Sequence, residues 1–254
     1  MDEPLESWPR PLYRDGGGQP FVFYKLHGDF STMPRVSRAV HRCAGVPVGL
    51  ELFVTTREVD PAFFEFGLTG VFAKDLEPAL ADALAAAPHA LIIRGEVRDA
   101  ATLDYLRDVI GMCTAMLDGG ALAVFDPQIL TWWTPARWRE QVFAPGEPAI
   151  GRHAMILVSE EPDDPHRAWV HTRGLRLFGR PDLSIHRVPT ELMPVMKELC
   201  DRFIAMAAAG AVIGDGQPIR MEALPGDWRC FHAGSFDDPD FNNVHLDIRR
   251  LDES

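Results

Sequence analysis

The sequence predicts an α+β domain, a mixed β-sheet flanked by helices, and three observations carry that expectation. Runs rich in β-branched and aromatic residues, such as 21–26 and 48–55, read as strands. Elsewhere apolar residues recur with the helical period: Leu76, Ala79, Leu80, Ala83, Leu84 and Ala87 form one stripe, and Leu192, Met196, Leu199, Phe203 and Met206 another. Strands and helices alternate as β-α-β-α-β only within 68–126, and strands run together afterwards.

In chain order, residues 1–20 carry four prolines and the triplet Gly16-Gly17-Gly18, and read as a flexible lead-in to a single domain over 21–250. A strand at 21–26 precedes a short helix at about 34–43, with Ser31 or Thr32 near its N-cap and Gly45 past its end. Strands follow at 48–55 and 68–73. The helix after Asp75 stops at Pro88. The apolar run 89–95 is a central strand, because it lacks alternation. A helix over about 100–117 places Leu103, Leu106, Ile110, Cys113 and Leu117 on one face before a strand at 121–126, so crossovers between parallel strands are expected. Thr134 and Pro135 read as N-cap and first position of a helix to about 143. The stretch 144–152, rich in Pro and Gly, offers a subdomain break. Strands at 153–159, 169–172 and 184–188 lead into the long helix 190–209, and short strands near 219–223, 228–233 and 244–248 finish the chain.

The 254 residues carry 25 Lys+Arg against 37 Asp+Glu, a formal net charge of −12. That balance argues against nucleic-acid binding, which draws its affinity from basic residues, and favours a partner with a basic surface. The charge is spread over both halves, so no arm or tail is set apart. Cys43, Cys113, Cys200 and Cys230 form no C-x-x-C pair, and three of them sit in apolar-periodic or strand-like segments, as buried free thiols do. No apolar leader or membrane-length run is present, and a cytoplasmic location is expected.

The motifs of nucleotide-binding loops, zinc proteases, serine hydrolases and EF-hands are missing, which lowers the expectation of an enzyme. His27-Gly28-Asp29 follows a strand, where acid–base groups often sit, yet it also reads as a plain turn. His166/His171 and His232/His245 match no metal-ligand spacing, and no metal or other cofactor is expected. Trp132 and Trp133 lie on successive strand positions and face opposite ways: either one caps the core and the other fills a helix interface, or the second is exposed beside Arg137 and Arg139 as a contact surface, which makes both candidate binding residues. Asp215-Gly216 reads as a structural turn.

The most distinctive stretch is Trp169-Val-His-Thr-Arg-Gly-Leu-Arg-Leu-Phe-Gly-Arg-Pro-Asp-Leu-Ser-Ile185. Gly174 and Gly179 permit reversals, Leu175 and Phe178 pack inward, and Asp182 is placed to cap or bind. Its pattern H-T-x-G-[LM]-x-x-x-G-x-P-[DE]-L resembles one in bacterial α+β proteins classed as a domain of unknown function. More loosely, the chain resembles bacterial suppressor-of-fused-like domains. The resemblance implies an adaptor or immunity protein that binds another protein, without a catalytic assignment. The competing reading is an enzyme or small-ligand site at the strand ends, where His171 and Arg173 converge.

Overall fold

The computed structural model describes residues 4–74, 76–161 and 163–251. β1 (Phe21–Gly28) lies between β3 (His89–Glu96) and β4 (Ala123–Asp126), antiparallel to both, in a five-stranded sheet ordered β2-β3-β1-β4-β5. β2 (Leu50–Thr55) and β5 (Thr131–Trp133) form its edges. A second sheet of six strands runs β6-β7-β8-β11-β10-β9, with β6 (Met155–Glu161), β7 (Asp164–Arg173), β8 (Asp182–Pro189), β9 (Gln217–Ile219), β10 (Trp228–Ala233) and β11 (His245–Arg250). Its one parallel pair is β8–β11, so this sheet is mixed and the fold class is α+β.

The β-α-β-α-β run is reshaped at its start. Residues 68–73, expected as a strand, hold a 3₁₀ turn over Gly70–Ala73. β3, α4 (Asp104–Asp118) and β4 do form a crossover between parallel strands, but β1 is inserted between them. Short apolar runs satisfy a strand or a buried turn equally, and the choice falls to tertiary packing. The next helix, α3 (Pro78–Ala86), follows Asp75, which lies outside the described residues. Ser37 caps α1 (Arg38–His41), a shorter and later helix than the one expected. As expected, Thr134 accepts the Arg137 N–H and Pro135 opens α5 (Pro135–Trp138), which passes into a π-turn to Phe143.

Alternation along β1 builds two layers. Val22, Tyr24 and Leu26 face α4 in the main core, while Lys25 and His27 point to the opposite side, under α2 (Pro61–Glu65) and α3. Lys25 is fully buried there, and its Nζ donates to the carbonyls of Phe63, Phe64 and Phe66 at 2.8, 2.6 and 2.7 Å. Three acceptors match the three protons of an ammonium and close the end of α2. The second sheet packs Val170, Leu183, Ile185 and Leu246 against α6 (Met193–Ala208), whose buried stripe includes Met196, Leu199 and Phe203. Ile204, Ala207 and Ala208 of α6 belong to the main core, so the helix that covers the second sheet also contributes to the core of the first.

The lead-in, expected to be flexible, is pinned at intervals: Trp8 and Arg10 are buried, and the N–H groups of Leu12, Arg14 and Gly18 donate to the carbonyls of Ala209, Gly210 and Gly179. Arg10 is buried, its Nη1 2.6 Å from Asp99 Oδ1, and it donates to the carbonyls of Phe178, Ala207 and Ala208. Arg180 meets the other Asp99 oxygen at 3.0 Å and donates to Gly179, Gly210 and Ala211. The carbonyls left open at the ends of α6 and of the 3₁₀ turn Leu175–Phe178 thus find cationic donors. The triplet has a steric reason: a Cβ on Gly17 would stand 1.9 Å from Arg180 Nη1.

Replacing Asp99 by Asn should leave two buried guanidiniums around a neutral group. A stability loss of ~3–5 kcal/mol in urea titration is expected.

Candidate functional site

α6 covers one face of the second sheet. The opposite face carries Trp169, His171 and Arg173 from β7, Ser184 and His186 from β8, and His245 from β11. Residues 234–244, between β10 and β11, fold back over it. Trp169 is stacked between His171 at 4.0 Å and His186 at 5.1 Å, and its Nε1 donates to Ser184 Oγ at 2.9 Å. Phe241 from the covering loop stacks on His245 at 4.4 Å and meets His171 edge-on at 5.5 Å.

The distinctive 169–185 stretch is the base to which this loop is tied. Arg173 is buried; its Nε donates to Gln128 O at 3.3 Å and its Nη1 to Asp240 O. Arg176 lies over the rings of Phe21 and Phe236, at 4.2 and 4.6 Å, and donates to Asn242 O at 2.8 Å. Asp182, wholly buried, accepts from Thr172 Oγ1 at 2.9 Å, the Leu175 N–H at 3.2 Å and Asn243 Nδ2 at 2.8 Å. Thr172 Oγ1 in turn accepts the Leu183 N–H at 2.9 Å. Thr172 and Asp182 therefore hold the 3₁₀ turn between β7 and β8. Gly174 is required by its φ of +103° and by the His153 carbonyl, 2.3 Å from where a Cβ would sit.

A cleft of about 460 Å³ opens where the two sheets meet, lined by Phe21, Phe23, Phe66, Phe72, Phe241 and Arg173. On the far side of Phe241 is an open hollow of about 480 Å³ that contains Glu160, Glu161, Asp238 and Asp240. Another cavity, of about 220 Å³ behind Gly16–Gly18, is mostly apolar, and the Arg180 on its wall is already committed to Asp99 and three carbonyls.

The expected residues part company here. His171 and Arg173 stand together beneath the loop, and Arg173 lines the cleft. Trp132 and Trp133 are elsewhere, and both are buried, at 7% and 3% exposure, which agrees with the packing reading and removes the exposed contact surface. They do face opposite ways. Trp132 stacks on Phe125 at 4.7 Å and donates to Gly67 O, while Trp133 enters the main core against Trp138. Covering elements on both faces of this sheet leave neither ring a contact surface. His27 is a core histidine against Phe64 and Trp132, held neutral because burial lowers its pKa to about 3. Asp29 caps the Ser31 N–H, and Asp215 accepts the His232 N–H, both as turn residues.

His186, exposed in the hollow, donates to Glu161 Oε1 at 2.9 Å, whereas the other candidate reactive groups are sheltered. Burial, with Arg173 nearby, lowers His171 to about 4, so it is neutral, and among the described residues no carboxylate hydrogen-bonds to it. Burial raises all four thiols, Cys200 to about 12 and Cys230 to about 11. Tyr24 Oη lies 3.1 Å from His153 Nδ1 near Asp126, yet all three are sealed inside. Among the described residues no group of three His, Cys, Asp or Glu could hold a metal ion, and no helix is long and apolar enough to cross a membrane. Asp240, Phe241 and Asn243 belong to no sequence motif; only their place in the loop gives them a role.

Trp132→Ala should destabilise the fold by ~3–5 kcal/mol by thermal or urea unfolding, as a core cavity does. Burial pushes the Asp182 carboxyl up to about 7 from 3.8, while its three donors pull the other way. A raised folded-state pKa contributes stability below the unfolded value that is lost as pH rises through the folded one. Asp182→Asn cannot titrate, so its Tm relative to the unsubstituted chain should improve steadily between about pH 4 and about pH 8. Compared with protein-family profiles, curated proteins and solved structures, the chain matches none.

Proposed function

We propose that the chain is a non-catalytic, cytoplasmic protein-binding domain, adaptor-like or immunity-like, and that the cleft between its sheets is the recognition surface. The carrying observation is an aromatic cleft of about 460 Å³ beside an acid-lined hollow, in which Glu161 is held by His186 at 2.9 Å and Asp238 stands 3.9 Å from His245. Aromatic side chains supply most of the affinity at protein interfaces. The net charge of −12 steers encounters toward a basic partner and away from nucleic acid. The stretch 169–185, which resembles the bacterial family of unknown function, underlies the loop bordering this cleft, in keeping with a shared binding role. The second reading, an enzyme or small-ligand site at His171 and Arg173, draws on Arg173 lining the same cleft.

A photo-crosslinking amino acid at Val71, which is 70% exposed and lines the cleft, tests the proposal in the cell. A discrete protein adduct is expected from position 71 and not from Val59, which is exposed away from the cleft. No adduct, or the same adducts from both positions, would overturn it.

A further inference from the structure

Seven buried side-chain nitrogen or oxygen atoms lack a hydrogen-bond partner among the described residues, and four of them gather beneath or beside the loop 234–244, one of these, on His245, standing 3.9 Å from Asp238. These are His171 Nδ1, His245 Nδ1, Arg176 Nε and Gln128 Oε1. Gln128 Nε2 donates to Phe21 O at 3.0 Å, which fixes the amide and leaves Oε1 as the open acceptor. His171 is only 5% exposed, with its ring against Phe241. Buried polar groups are normally paired, so such a concentration under one segment marks a place completed by something else.

The loop is attached in a way that can be exchanged. Arg173 and Arg176 hold it through the backbone carbonyls of Asp240 and Asn242, which another peptide could replace in kind, while Asn243 Nδ2, donating to Asp182 Oδ2 and Arg180 O, anchors its far end. Gly234 at φ +72° and Asn242 at φ +50° bend its two ends. Phe241 separates the aromatic cleft from the acid-lined hollow and lines both. No Lys or Arg lines that hollow.

Resting on the protein-binding reading, we infer that residues 234–244 form a lid and that the ligand is a peptide segment with an aromatic or long apolar side chain beside a Lys or Arg. The apolar side chain occupies the cleft of Phe21, Phe23, Phe66 and Phe72. Its basic neighbour crosses Phe241 into the hollow of Glu160, Glu161, Asp238 and Asp240. The peptide carbonyls take the guanidinium donors released by the lid, and a backbone N–H meets Gln128 Oε1. A secondary amide offers the donor and the acceptor that these open groups need.

Panning a random-peptide display library on the full chain should enrich sequences that place an aromatic or long apolar residue next to Lys or Arg. A synthetic peptide of the enriched sequence is then measured by calorimetry. Val71→Asp and Glu160→Lys, both at exposed positions, should each weaken it by about tenfold or more. Hydrogen exchange of the unsubstituted chain should show amides in 234–244 exchanging faster once that peptide is bound. No enrichment, enrichment of acidic sequences, affinity indifferent to both substitutions, or lid amides unchanged or slowed would each overturn the inference. Adducts at position 71 without peptide enrichment would remove the lid and the peptide chemistry while leaving the protein-binding reading intact. Enrichment without adducts would do the reverse.

Discussion

Two buried arginines sharing one half-buried carboxylate organise this molecule. Arg10 comes from the lead-in, Asp99 from the segment after β3, and Arg180 from the turn before β8. Each guanidinium also takes carbonyls from the end of α6, so the cluster ties together three regions far apart in sequence. Asp99 is surrounded by donors and the arginines by acceptors, which offsets the cost of taking three charges out of water. The base of the covering loop inherits its position from this cluster: Arg180 ends the same turn that carries Arg173 and Arg176.

The two sheets are finished differently. The first has α4 on one face and α2, α3 and the Gly70–Ala73 turn on the other, and both faces are apolar. The second has α6 on one face and only an irregular loop on the other. A loop covers a sheet less completely than a helix, because it cannot pair its own backbone groups and those beneath it at once. His171, His186, His245 and Arg173 lie on this second, thinly covered face, and four of the seven atoms without a hydrogen bond lie on it or beside its loop.

What could be read from residues alone follows how far apart the determinants lie. Helices α4 and α6 were legible because their stripes are local and long. Thr134-Pro135 announced a helix start, and the 169–185 stretch showed its turns through Gly174 and Gly179. The 68–73 segment misled because six apolar-rich residues suit either a strand or a 3₁₀ turn. The lead-in misled because prolines and glycines imply looseness until Arg10 finds Asp99 eighty-nine positions away. Of the candidate site, His171 and Arg173 were legible from their strand. The tryptophan pair faces opposite ways, as strand alternation requires, but residues alone left open whether the second ring meets a covering layer or solvent. Phe241, Asn242 and Asn243 carried no signal, since their partners come from three other segments.

Lys25 has a practical corollary. The chain contains three lysines, and this one is sealed, with every ammonium proton engaged by a carbonyl of the Phe63–Phe66 segment. Amine-reactive reagents therefore meet Lys74 and Lys197 on the folded chain and reach Lys25 only after the layer above β1 has lifted. Acylation of that single amine, read by mass spectrometry, becomes a chemical clock for opening of the α2 layer.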